Sequence, residues 1–175
     1  MSTNGLARLI VASAFCLSAC ATLSPAKPGA TATLESRSGS MVTGTATFTA
    51  GREGLVLHVV LQGLPPGSEH GLHIHDKGDC TAPDAMSAGG HFNPAGAVHG
   101  RPGLGAHHLG DLGAVVADSE GKVAAEISLS ELTLAAGPQT VVGHSLVVHR
   151  DRDDYVSQPA GNAGPRVACG VIAVR

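Results

Sequence analysis

The chain alternates between apolar and polar positions. In residues 41–50, MVTGTATFTA, Val42, Ala46, Phe48 and Ala50 fall on one face of an extended strand, and Thr43, Thr45, Thr47 and Thr49 fall on the other. Residues 55–61, LVLHVVL, put Leu55, Leu57, Val59 and Leu61 on a common face; in 122–129, KVAAEISL, Val123, Ala125, Ile127 and Leu129 oppose Lys122, Glu126 and Ser128. A period of two with β-branched residues marks half-buried strands. Turn signals (AGREG, GLPPG, DSEG, AAGPQ) separate the runs. The pattern predicts about eight strands, over 31–38, 41–50, 53–62, 70–76, 113–118, 122–130, 144–149 and 167–174, and no convincing helix. The expected fold is all-β, a β-sandwich or flattened barrel. Two segments, 77–112 and 150–166, fit no strand and are rich in Gly, Pro, Asp and His. Loops of this length in a compact domain tend to be functional or disordered.

Composition narrows the picture. With no Trp, three Phe and one Tyr, the core must be built from Val, Leu, Ile and Ala, and 175 residues suit one domain. The start stands apart. MSTNGLAR carries one Arg and no acid, and LIVASAFCLSA is an apolar run too short to span a bilayer. LSAC at 17–20 resembles the bacterial lipobox. Residues 1–19 therefore read as a lipoprotein-type signal peptide, Cys20 as the lipidated first residue of the mature chain, 20–30 as a lipidated tether and 31–175 as the domain. Cleavage a few residues later is the alternative. An acylated Cys20 would anchor the domain without a transmembrane helix. Without Arg8 the formal net charge goes from −3 to about −4, and no basic patch with aromatics is visible, which argues against nucleic acid. Only Cys80 and Cys169 remain in the domain. In an exported chain they most simply form one disulfide; two free thiols fit an oxidising compartment poorly.

The histidines carry the chemistry. On a strand over 70–76, His73 and His75 point to one face, with backbones about 6.5–7 Å apart, a spacing that lets both rings converge on one ion. The first loop holds GGHFNPAGAVHGRPGLGAHHLGDLG, in which His91, His99, His108 and Asp111 follow at intervals of eight, nine and three. Three imidazoles and a carboxylate make a tetrahedral set suited to zinc, and a closed four-ligand set is usually structural. Bound metal would also hold a Gly-rich loop in shape. His149 ends a buried-looking strand, Asp153 follows four residues on, and Arg166 lies three residues before Cys169.

HGLHIH, GGHFNP, HLGDLG, LVVH and GNAGPRVACGV, in this order over residues 70–174, resemble the copper/zinc superoxide dismutase family. The resemblance implies an eight-stranded Greek-key barrel with two long functional loops. It implies copper ligands at His73, His75, His91 and His149, and zinc ligands at His91, His99, His108 and Asp111, with His91 bridging the two ions. Asp153 matches an outer partner linking both sides, Arg166 the arginine that orients superoxide, and Cys80 and Cys169 the intrachain disulfide. The ten residues TAPDAMSAGG between Cys80 and His91 resemble bacterial periplasmic members. His107 adjoins His108, but the H-x-G-D spacing favours His108 as the ligand. Ala160 stands where animal members carry a small hydroxyl residue.

The implied function is disproportionation of superoxide to O2 and hydrogen peroxide, with His91 and Arg166 as the catalytic side chains. Lys77 is a further candidate for steering the anion. His58, His70, His107 and His144 read as structural or surface residues. The rival readings are a non-catalytic dismutase-like copper/zinc-binding module and an adhesive β-sandwich with incidental histidines. The expected setting is the periplasm or cell envelope, with the outer membrane favoured because Ala21 is not acidic. A monomer and a homodimer are equally compatible with the sequence.

Overall fold

The computed structural model describes residues 28–175 together with Met1. The remainder of the signal segment, Cys20 and the tether as far as residue 27 lie outside the described residues. The strands are β1 (Gly29–Ser36), β2 (Thr43–Ala50), β3 (Leu55–Gln62), β4 (Glu69–His75), β5 (Asp111–Val116), β6 (Val123–Leu129), β7 (Ser145–His149), β8 (Arg166–Val171) and the two-residue β9 (Ala173–Val174). Strand order is β5-β4-β7-β8-β1-β2-β3-β6, and β9 pairs with β1. Two antiparallel layers result, joined where Glu35 and Ser36 of β1 meet Cys169 and Ala168 of β8. The chain crosses between layers from β3 to β4, from β5 to β6 and from β6 to β7, which makes the topology a Greek key.

The period-two faces close on one core. Ala46, Phe48, Leu55, Leu57, Val59, Leu61 and Val123 meet Leu72, Ile74, Leu146, Val148 and Ala168 from the other layer. In β7 the residues pointing away from this core are buried too: Val147 packs with Cys80, Ala85, Ala88 and Cys169. The first loop lies across the outer face of β4, β7 and β8 and covers it, so SLVVH is buried throughout and shows no alternation. That covered face carries the histidines.

Most strand ends differ from the sequence reading by one or two residues, and three differences matter to the fold. The expected strand 167–174 is split at Ile172, whose side chain turns into the core while its N–H bonds to the His144 carbonyl; the chain thereby leaves β7 for β1, as strands do when they switch sheets. Strand β5 starts at Asp111, two residues early, because Asp111 pairs with His73 across the register shift in β4. Gly29 and Ala30, read as tether, already pair with Thr49 and Phe48, and Ala30 is fully buried.

Candidate metal centre

His73 and His75 project from the covered face of β4, opposite Val147 and Ser145 of β7. His149 closes β7 opposite Arg166. His91 is brought in by the backbone: Phe92 N–H donates to the Ile74 carbonyl at 2.8 Å, and Gly110 N–H donates to the Phe92 carbonyl at 2.8 Å. Residues 91–92 are thus laced between β4 and the turn leading to β5. The structure gathers two sets of four buried side chains, His73, His75, His91, His149 and His91, His99, His108, Asp111, with the ligand atoms of each set within 4.8 Å of one another.

The outward hydrogen bonds fix what each ring presents inward. His75 Nδ1 donates to the Gly89 carbonyl at 2.9 Å, and His149 Nδ1 to the Gly164 carbonyl at 3.1 Å. Both Nε2 lone pairs then face each other at 3.3 Å. His73 Nε2 donates to Asp153 Oδ2 at 2.8 Å, so His73 Nδ1 is left buried with no partner among the described residues, as is His91 Nε2. On the other side His99 Nε2 donates to Asp153 Oδ1 at 2.9 Å, which turns its Nδ1 lone pair toward Asp111 Oδ1 at 3.1 Å. A lone pair aimed at a lone pair or a carboxylate is repulsive unless a cation lies between them.

The second set fits zinc by its spacing. Donor atoms held tetrahedrally at about 2.0–2.1 Å from one centre lie about 3.3 Å apart. Asp111 Oδ1 lies 2.8, 3.1 and 3.3 Å from the Nδ1 atoms of His91, His99 and His108, and His91 Nδ1 lies 3.4 Å from His108 Nδ1. The first set, four imidazoles, suits copper in both oxidation states. His91 faces both sets with opposite ring nitrogens, and Asp153 bonds a ring from each.

Electrostatics keep the sites ready for cations. Burial, with repulsion from neighbouring histidines, pushes His73 and His75 well below the ordinary imidazole range and brings His149 to about 4. Burial also lowers His108. For Asp111 burial alone would raise the pKa, but hydrogen bonds from His91 and from the Gly100 and His108 N–H groups together outweigh it and hold the carboxylate at about 2. At neutral pH His73, His75 and His149 therefore present free imidazole lone pairs and Asp111 its charge, the forms metal binding needs.

A cleft of about 300 Å3 opens over the first set and reaches His108 of the second, walled by His75, Gly90, His91, Asn93, His108, His149, Pro159, Ala160 and Arg166. The Arg166 Nη1 and Nη2 atoms donate to the Ala85 and Gly89 carbonyls, both at 2.6 Å. Cys80 and Cys169 are bonded, S–S 2.03 Å, which ties the segment carrying these carbonyls to β8. Lys77 is exposed and does not line this cleft.

His70 stays outside both sets; its Nδ1 lies 2.9 Å from the His149 carbonyl and its Nε2 2.6 Å from Ser68 Oγ. His107 is half-buried and turns to Glu131, His144 bonds the Asp76 carbonyl, and His58 pairs across strands with Glu126. Sequence reasoning missed the carbonyls of Gly89 and Gly164, which nothing in a sequence marks. It also missed Gly161. Its φ is +62°, and a Cβ there would overlap Asp153 Oδ1 and lie 2.6 Å from His99 Nε2. Gly161→Ala is expected to force the Asp153–His99 link apart and weaken zinc binding about 10–100-fold, the usual effect of losing such a partner. Competition with a chromophoric chelator measures this.

The statistical description of the family "Copper/zinc superoxide dismutase (SODC)" matches residues 42–172. Superoxide dismutase [Cu-Zn] 2 of Aquifex aeolicus is 40% identical over 135 residues, covering 75% of this chain and 79% of that protein. The extracellular superoxide dismutase [Cu-Zn] of Brugia pahangi is 40% identical over 154 residues, covering 83% of this chain and 75% of that protein. Among solved structures, a SOD-like protein from Bacillus subtilis superposes with a TM-score of 0.72 at 35% identity, covering 80% of this chain and 95% of that chain.

Proposed function

The chain belongs to the copper/zinc superoxide dismutase family, and on that premise we propose that it disproportionates superoxide to O2 and hydrogen peroxide. The observation that carries the reading is the pair of four-membered sets sharing His91 beneath a cleft walled by Arg166. His73, His75, His91 and His149 would hold copper, and His91, His99, His108 and Asp111 zinc. Copper there would supply one-electron redox chemistry, by which one superoxide gives up an electron and leaves as O2 and a second takes up that electron and two protons to become hydrogen peroxide. The chain's own residues do the rest. His91 Nε2, which has no partner among the described residues, can hold a proton and pass it to the nascent peroxide. Asp111 and Asp153 fix ring orientation from behind. Pro159 and Ala160 narrow the cleft.

The Arg166 guanidinium draws the anion against an overall negative charge. Its two terminal nitrogens are held by backbone carbonyls, so its position is set before substrate arrives. Arg166→Ala is expected to slow superoxide removal about tenfold, the size of one lost charge-assisted contact, with copper and zinc content unchanged. Pulse radiolysis of the metal-loaded variant measures it, and an unchanged rate would exclude the role.

Metal analysis with a superoxide assay on the purified protein tests the whole reading: one copper, one zinc and fast turnover support it. The second reading, a non-catalytic dismutase-like module, draws on the description of a similar solved structure as SOD-like; copper bound without superoxide removal would favour it. A place in the periplasm or envelope is part of the proposal, supported by the disulfide and by the extracellular relative; lipidation at Cys20 is proposed on the LSAC sequence alone. Globomycin treatment, which blocks lipoprotein signal cleavage, should shift the mass of the cellular protein.

A further inference from the structure

Gln158 has no part in either set of four, yet its carboxamide is joined to a member of one. It stands on the loop 150–166, 59 residues from His99. Gln158 Oε1 accepts the His99 N–H at 2.8 Å, and Gln158 Nε2 donates to the His99 carbonyl at 3.0 Å. Nε2 also donates to the Val156 carbonyl at 3.2 Å. The pairing of a side-chain amide with both polar groups of one residue resembles a rung of a β-ladder. Two bonds fix the rotation of that backbone as well as its position.

The same loop grips the imidazole of His99 through Asp153 Oδ1. His99 is therefore held at its main chain and at its ring by residues five apart. The loop that does this is itself braced. Asp154 Oδ1 accepts the N–H groups of Val156 and Ser157 at 2.9 and 2.8 Å, and Asp154 Oδ2 accepts from Ser157 Oγ at 2.7 Å and Asn162 Nδ2 at 3.1 Å. The segment around His99 is the opposite case. Residues 94–106 lie in no strand and include Gly96, Gly100, Gly103 and Gly105, so their order has to come from outside.

We infer that Gln158 is a positioning residue for zinc: by clamping the His99 backbone it aims His99 Nδ1 at the point where Asp111, His91 and His108 converge, and so sets the affinity of that set. The inference rests on the zinc reading above. It differs from a folding role because Gln158 is exposed and outside the core, so its truncation leaves both layers and the disulfide intact.

The test uses the metal-free full-length protein, with Gln158→Ala and Gln158→Leu beside the parent. Cobalt(II) titration reads the visible absorption of the tetrahedral set, and zinc competition reads affinity. The expected result is zinc binding weaker by about tenfold or more, with altered cobalt band intensities. The metal-free melting temperature should stay within about 2 °C, the shift of less than 1 kcal/mol in a domain of this size. Zinc affinity within twofold of the parent overturns the inference. So does a fall in melting temperature large enough to account for the weaker binding. A parent that binds neither cobalt nor zinc at this set overturns the zinc reading and the inference with it; a parent that binds beside variants that bind equally overturns the inference alone.

Discussion

The metal-free protein is expected to lose stability steadily as pH falls below about 6.5 and to unfold in mild acid. The cause is the cluster that makes the site. His73, His75 and His149 are buried and crowd one another, so their folded-state pKa values lie below the ordinary 6.5, that of His149 at about 4. Unfolded, the same side chains take up protons near 6.5. Below that pH the unfolded chain binds more protons than the folded one, so stability is full above 6.5 and falls as pH drops toward the folded values. His149 alone, shifted from 6.5 to about 4, accounts for about 3 kcal/mol by pH 4. His108 acts in the same direction. Asp111 adds a later loss: held at about 2 against an ordinary 3.8, it favours the fold above 3.8 and ceases to do so as pH falls toward 2. A total of several kcal/mol is a large part of the stability of a single domain. Denaturant midpoints of the metal-free protein from pH 8 to 4.5 measure the effect, and a flat profile would overturn it. Bound metal should protect until protons compete for the ligands, because cations bind only the deprotonated groups.

The parts of the fold that were legible in the sequence are those whose partner is water on one side and core on the other. β2, β3 and β6 alternate because each has one wet face. β4 and β7 are covered on both faces, and what marked them was the His-x-His spacing and an unbroken apolar run. The site was legible to the extent that its chemistry needs side chains: imidazoles and carboxylates are conspicuous, and a two-residue period puts His73 and His75 on one face. Backbone donors and acceptors are not conspicuous. The Gly89 and Gly164 carbonyls that turn His75 and His149 look like any other peptide groups until the fold brings them there. Gln158 was invisible for a related reason, since a loop glutamine is ordinarily a solvated one. Asp111 fell outside the expected strand because the Gly-rich HLGDLG has no alternation, while its pairing with His73 depends on a register shift that only the tertiary fold imposes. The connection 130–144 also gave no sign of the apolar plugs Leu132 and Val141, which reach the core from between turns.

Replacing both Cys80 and Cys169 by serine is expected to lower the stability of the metal-free protein by about 4–5 kcal/mol, the chain-entropy value for a closed loop of this length. The bond joins residues 89 apart, and the loop it closes holds most of the histidines. In a domain of this size the loss corresponds to a fall of about 10–20 °C in melting temperature. The functional effect should be larger than unfolding alone explains. Cys80 starts the stretch that supplies the Ala85 and Gly89 carbonyls, and Cys169 lies in the strand that supplies Arg166. Gly89 serves twice, accepting from both His75 Nδ1 and Arg166 Nη2, so slippage of this stretch loosens the His75 ring and the Arg166 guanidinium at the cleft together. Part of the stretch has other anchors: Arg37 Nε donates to the Cys80 carbonyl at 2.8 Å, and Ser38 N–H to the Pro83 carbonyl at 2.8 Å. These hold its beginning; at the other end the Lys77 and Asp76 N–H groups donate to the Ala88 and Gly90 carbonyls, both at 2.9 Å, while the Ala85 and Ala88 side chains pack against the disulfide and Val147. The serine variant, loaded with metal and assayed well below its melting temperature, should therefore retain zinc while losing superoxide removal and copper affinity. Equal activity per bound copper in the folded variant and the parent would show that the disulfide acts on stability only.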